Sequence, residues 1–239
     1  MSIYVMSDIH GKYDEYLEML EKINFSDEDT LYILGDVIDR GEHPIKVLQH
    51  ALSKKNIILL MGNHEKLMLD SANINRKISD DAIIMWHFNG GETTIEEYSQ
   101  QEKTERQRLL DEIIGLKWHQ FVEMSGKKFF LSHAAVLMDD NEEFEDALIR
   151  ALKTENILWN RDNLLYCENK SDYIFIHGHT PTGTWHPNGI YEIYSYDNGR
   201  KINIDCGAGY NKRLGCLRLD DMAEFYVDCG DEREMILER

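Results

Sequence analysis

The chain has 239 residues, 42% hydrophobic and 29% charged, with 26 Lys plus Arg against 44 Asp plus Glu for a net charge of −18. That length suits one α/β domain spanning 1–239, with room for an insertion. So acidic a surface repels a phosphate backbone and argues against non-specific nucleic-acid binding, and no apolar run approaches the roughly 20 residues that span a bilayer.

Ile3 to Met6 is an apolar run entering Ser7-Asp8-Ile9-His10-Gly11. A helix follows, with Tyr13, Tyr16, Leu17, Leu20 and Ile23 spaced for one face. Leu31 to Leu34 is the next buried strand and leads into Gly35-Asp36-Val37-Ile38-Asp39-Arg40-Gly41. Pro44 opens another amphipathic helix, carrying Ile45, Leu48 and Leu52. Ile57 to Met61 is a third strand, ending in Gly62-Asn63-His64-Glu65, with a helix from Lys66 to Asp70. This alternation predicts βαβαβ and a parallel sheet with right-handed crossovers.

From about 71 to 125 the pattern changes to a charge-rich helical cap, with helices over Asp81 to Phe88, Thr93 to Gln100 and Glu105 to Ile114 and a break at Asn89-Gly90-Gly91. Trp86, Phe88, Tyr98, Trp118 and Phe121 give it apolar faces to bury. Strands resume at Lys128 to Leu131, before Ser132-His133, and at Tyr173 to Ile176, before His177-Gly178-His179-Thr180-Pro181. A helix over Phe144 to Lys153 and the stretch Leu158-Trp159-Asn160-Arg161-Asp162 lie between them. The rest reads as antiparallel: Ile190 to Ser195 and Lys201 to Ile204 flank an Asp197-Asn198-Gly199 hairpin turn, and Leu214 to Leu219 and Ala223 to Val227 flank a second turn. Asp231 to Arg239 is read as a surface segment. Cys167, Cys206, Cys216 and Cys229 show no C-x-x-C spacing and, with no secretory segment, are expected to be reduced thiols in a cytoplasmic protein.

Five strand ends therefore carry Asp8 and His10; Asp36 and Asp39; Asn63 and His64; His133; and His177 and His179. Open α/β sheets build their sites at such ends. Imidazole nitrogen mixed with carboxylate and amide oxygen suits Mn²⁺, Fe²⁺ or Zn²⁺. The ligands are too many for one tetrahedral ion; a carboxylate bridging two ions roughly 3.5–4 Å apart would use them all.

These motifs resemble those of the calcineurin-like metallophosphoesterases. Asp8-x-His10-Gly11, Gly35-Asp36-x-x-Asp39-Arg40-Gly41 and Gly62-Asn63-His64-Glu65 are similar to the opening motifs of the PPP group of serine/threonine protein phosphatases. That group includes bacterial and phage members and the symmetrical diadenosine tetraphosphatases. His133 and Gly178-His179-Thr180-Pro181 look like its two later histidine motifs, and Leu158-Trp159-Asn160-Arg161 resembles an arginine-bearing loop of the bacterial and phage members. The resemblance covers roughly residues 3 to 210.

It implies a four-layer αββα sandwich of two mixed sheets and two divalent metal ions, Mn²⁺ first, with Fe or Zn as alternatives. Asp8, His10 and Asp36 would hold one ion; Asp36 would bridge to the other, completed by Asn63, His133 and His179. A metal-bridging hydroxide would attack phosphorus, with His64 as general acid oriented by Asp39 and with Arg40 and Arg161 on the phosphoryl oxygens. His177 competes with His179 for the last ligand position, and the Gly-His-Thr-Pro context favours His179. His64 could ligate metal instead, but Asn63 beside it already serves the second ion. The expected activity is hydrolysis of phosphomonoesters, first on phosphoserine or phosphothreonine of a protein, with phosphotyrosine and small aryl phosphates as further substrates. The alternatives are hydrolysis of diadenosine tetraphosphate or another nucleotide, and a non-catalytic scaffold. Many bacterial relatives have an arginine where this chain has Met61, which leaves Arg76, Arg106 and Arg108 as candidates to supply the missing phosphate contact.

Overall fold

The computed structural model describes residues 1–71, 80–161 and 165–230. Arg76, Asp162 and the segment from Asp231 to Arg239 lie outside them.

Three strands and two helices alternate first: β1 (Ile3–Met6), α1 (Tyr13–Lys22), β2 (Thr30–Ile33), α2 (Pro44–Ser53) and β3 (Ile57–Leu59). β1 pairs parallel with β2, and β2 with β3, as the alternation predicts. Helix α3 (Asn63–Ser71) starts at the asparagine of the third motif, earlier than expected. On α1 the buried side chains are Tyr16 and Met19, while Leu17 faces outward.

The helical segment contains α4 (Asp80–Phe88), α5 (Glu92–Gln100) and α6 (Lys103–Ile114). It ends sooner than the sequence suggests, because His119–Met124 is a strand, β4, antiparallel to β5 (Lys127–Ser132). Val122 is buried while its neighbours Phe121 and Glu123 are exposed, as suits a half-buried edge strand. Trp86 is buried, but Phe88 is 82% exposed.

After α7 (Phe144–Lys153) and the short α8 (Asn156–Trp159) come β6 (Ile174–His177), β7 (Tyr194–Tyr196), β8 (Lys201–Asn203), β9 (Arg213–Arg218) and β10 (Ala223–Asp228). The predicted hairpin pairs β7 with β8 antiparallel, but β8 also runs parallel to β6, against the antiparallel reading. β9 returns to the first sheet, antiparallel to β1. The result is two five-stranded mixed sheets, ordered β10-β9-β1-β2-β3 and β4-β5-β6-β8-β7.

The alternation of side chains shows how the layers stack. Val5, Tyr32 and Leu34 of the first sheet pack with Phe129, Leu131, Ile176 and Ile202 of the second in one apolar cluster. Their sequence neighbours Tyr4, Met6, Leu31 and Ile33 face the other way and join Tyr16, Met19 and Leu48 of the helices. On the far side Phe130 and Phe175 meet Phe144 of α7, with ring centroids 5.1 Å apart in each pair. The central strands of each sheet are thus buried on both faces, at roughly 25 cal/mol per Å² of apolar surface removed from water, and the helices lie outside. The four cysteines are unpaired, and among the described residues no helix is long and apolar enough to cross a membrane.

Candidate metal centre

Parallel strands from both sheets deliver their C-terminal ends to one place. Asp8 and His10 follow β1, Asp36 and Asp39 follow β2, Asn63 and His64 follow β3, His133 follows β5 and His179 follows β6. The backbone pays for this convergence. Asp8, His10, Asp36, Asp39, Arg40 and His179 all have φ between 47° and 73°, the left-handed region that non-glycine residues avoid. Such strain persists only where surrounding contacts over-determine it, and it gathers at functional sites.

Asp36 is the centre. Its Oδ1 accepts the backbone N–H of His64 at 3.0 Å. Its Oδ2 lies 3.4 Å from His133 Nε2, 3.7 Å from His10 Nε2 and 3.8 Å from His64 Nε2. Two groups of metal-ligating atoms share it: His10, Asp36 and His64, and Asp36, His133 and His179. Asp8 stands beside the first group, with Oδ1 4.0 Å from His10 Nε2, while its Oδ2 accepts the N–H of His179 at 3.0 Å. The geometry therefore puts His64 nearer the first group than the sequence reading does.

Second contacts fix which nitrogen is free. His10 Nδ1 faces the Ile38 carbonyl at 2.9 Å and His133 Nδ1 the Leu34 carbonyl at 2.8 Å. Each Nδ1 must carry the proton, which leaves the Nε2 lone pairs pointing into the cluster. Burial, the largest influence on each, holds the pKa of His10, His133 and His179 below the ordinary value. Neutral imidazoles are the form that binds metal. Burial also pushes the Asp36 carboxyl well above its usual range, so its anion calls for a cation. Asn63 Oδ1 faces His133 Nε2 at 2.8 Å, one acceptor against another, and Asn63 Nδ2 is buried with no partner. Carboxylate, amide and imidazole groups converging in this way fit a pair of divalent cations.

His64 is oriented by Asp39, with Nδ1 and Oδ2 2.6 Å apart. Burial opposes its charged form, but Asp36 and Asp39 outweigh that and raise its pKa. Arg40 sends Nη1 to His10 Nε2 at 3.1 Å and Nη2 to His64 Nε2 at 3.2 Å, and Arg161 donates from Nε to His179 Nε2 at 2.9 Å. Both guanidiniums thus stand at the rim of the cluster, close against its imidazoles. His177 is not among these atoms. Its Nε2 meets the Tyr196 hydroxyl at 2.7 Å and its Nδ1 the Gly178 carbonyl at 3.1 Å, so both ring nitrogens are engaged away from the two ligand groups.

Met61 is buried and brings no charge. Arg106 stacks over Tyr98 and Arg108 is held by Glu105 and Glu112, so neither takes the place of the missing arginine.

Four further residues shape the cluster and receive no role from the sequence alone. Glu65 is fully buried, and its carboxylate accepts the N–H groups of Asp36, Val37 and Gly62 at 2.8, 2.9 and 3.0 Å, clamping the end of β2 to the start of α3. A Glu in the first turn reaching back to the residue before the helix is half of a capping box, a signal that was available. Asp205, buried beyond β8, has its pKa raised by burial and then by Asp8; the apolar run before it was the clue. Trp86 and Thr94 both bind Asp39 and carried no signal.

A profile of the calcineurin-like phosphoesterase family matches residues 1–210, and the chain belongs to that family. Its members are metallophosphoesterases, hydrolases that use divalent metal ions. Serine/threonine-protein phosphatase 2 of Salmonella typhimurium is 32% identical over 167 residues, 68% of this chain and 69% of that protein. The symmetrical bis(5'-nucleosyl)-tetraphosphatase of Hamiltonella defensa is 44% identical over 71 residues, only 29% of this chain and 26% of that protein. A protein serine/threonine phosphatase from Saccharomyces cerevisiae shares the fold, with a TM-score of 0.55 at 14% identity over 97% of this chain and 80% of that one.

Proposed function

We propose that this chain is a dinuclear-metal phosphomonoesterase acting on phosphoserine and phosphothreonine of proteins, and on phosphotyrosine and small aryl phosphates. The observation that carries the reading is the Asp36 carboxylate, shared by two buried ligand groups with His64 beside it. Asp8, His10 and Asp36 would hold one ion, and Asp36, Asn63, His133 and His179 the other. The nitrogen and oxygen donors contain no thiolate, which suits Mn²⁺, with Fe²⁺ or Zn²⁺ as alternatives. When bound, the ions supply an activated water and neutralise charge on the phosphoryl group.

The chain's own groups do the rest. Arg40 and Arg161, already at the rim, turn their N–H groups to the phosphoryl oxygens and bind them through charge-assisted hydrogen bonds. His64 gives its Nε2 proton to the leaving oxygen, and Asp39 holds the opposite nitrogen. No covalent phosphoenzyme forms.

The protein-phosphatase reading is supported by the long alignment to the Salmonella phosphatase. A second reading, hydrolysis of a dinucleoside polyphosphate, is supported by the higher identity to the tetraphosphatase over its shorter match. Assay with Mn²⁺ on a phosphoserine peptide and on diadenosine tetraphosphate decides between them. A preference of about a hundredfold in kcat/KM for the peptide is expected, and the same preference for the dinucleotide would reject the first reading.

A further inference from the structure

Asp39 is wholly buried, and its carboxylate is gripped from the helical segment as well as by His64. Trp86 Nε1 on α4 donates to its two oxygens at 2.9 and 3.1 Å. Thr94 Oγ1 on α5 donates to Oδ1 at 2.5 Å, and the same hydroxyl accepts the Asp39 backbone N–H at 2.8 Å. The next residue, Arg40, donates its backbone N–H to the Gly90 carbonyl at 2.9 Å. The Asn89-Gly90-Gly91 break is what permits this approach. A Cβ at Gly90 would stand 2.8 Å from Arg40 Cγ, and one at Gly91 2.7 Å from the Trp86 ring.

The segment is itself held down. Glu97 on α5 accepts the N–H of Ile45 at 2.9 Å and meets His43 Nδ1 at 3.2 Å, and Gln49 on α2 donates to Glu105 at 2.8 Å. The grip on Asp39 is therefore anchored to the same helix that follows it in the chain.

The last torsion of an aspartate is soft, and a carboxylate held by one histidine alone could rotate and carry the imidazole with it. Three donors remove that freedom. We propose that Trp86 and Thr94 are positioning residues for His64, acting through Asp39, so that the helical segment sets the aim of the proton donor. This inference rests on the reading of His64 as the general acid.

The test uses Trp86→Phe, which keeps an aromatic ring and deletes the donor, and Thr94→Val, which keeps the shape and deletes the hydroxyl. Thr94→Ser restores the hydroxyl. Each is assayed with Mn²⁺ on phenyl phosphate, whose leaving group needs a proton, and on 4-nitrophenyl phosphate, whose leaving group needs one far less. Both deletions are expected to lower kcat on phenyl phosphate on the order of tenfold, as loss of an orienting partner does. The loss on 4-nitrophenyl phosphate is expected to be much smaller, KM to move little, and Thr94→Ser to recover most of the activity. Equal losses on the two substrates, or a failure of Thr94→Ser to recover, would overturn the inference. His64→Asn separates the two levels: it should cost roughly 10²–10⁴ on phenyl phosphate and less on 4-nitrophenyl phosphate. An equal cost there would reject the acid role itself. A leaving-group effect in His64→Asn without one in the Trp86 and Thr94 variants would reject only the positioning role.

Discussion

The strand ends and the helical segment between 80 and 114 meet at one pocket but contribute to it by different physics. The strand ends supply groups with no chemical substitute: carboxylates, imidazoles and an amide, fixed by parallel pairing, with Asp8, His10, Asp36, Asp39 and His179 held in left-handed backbone. The helical segment supplies ordinary donors, an indole N–H and a hydroxyl, whose value lies in where they stand. Loss of the first kind should remove the chemistry, whereas loss of the second should blunt it.

The sharpest way to break the comparison is Asp36→Asn. Because both ligand groups share this residue, both ions should be lost together. Turnover should fall on every phosphoester by more than the roughly 10–100-fold expected for an outer partner. Elemental analysis beside the assay checks it, and a variant that keeps one ion would deny the shared role.

A smaller effect sharpens the contrast between neighbouring histidines. Burial pushes the His177 pKa down to about 4, so in the fold it stays neutral. Between about 6.5 and 4 the unfolded chain takes up a proton that the folded chain refuses. His177 thus contributes stability that is intact above that window and is lost as the pH falls through it, roughly 3 kcal/mol in all. Denaturant unfolding of metal-free protein across this range should show a shallower pH dependence in His177→Gln than in the parent. The same slope in both would contradict the buried, neutral assignment.

The smallest effect belongs to the outer face of the helical segment. Phe88→Ala, two residues from Trp86 but 82% exposed, should change stability by no more than about 0.5 kcal/mol. Thermal unfolding checks it, and a fall of several degrees would mean that this face is covered after all.

The same contrast explains what the sequence could reveal. The convergence of Asp8, His10, Asp36, Asn63, His133 and His179 was legible because few residue types can ligate metal and each follows an apolar run. Trp86 and Thr94 were not, since either residue is common in a helix and the partner lies 47 or 55 positions away. The Gly90-Gly91 break was visible as punctuation, but not as the gap that admits Trp86 and Arg40. β4 falls within the stretch whose pattern reads as cap, because six residues beside three helices give a weak period-2 signal. The Asp197-Asn198-Gly199 turn announced the β7–β8 pair, yet no local signal could show β8 lying parallel to β6. The left-handed backbone at six of the ten candidate site positions was equally invisible, since only glycine advertises it.

The central claim is that one carboxylate holds two cations. Calorimetric titration of the metal-free protein with Mn²⁺ tests it most directly. Two ions per chain are predicted, with both binding events abolished in Asp36→Asn; a single ion per chain in the parent protein would contradict the account.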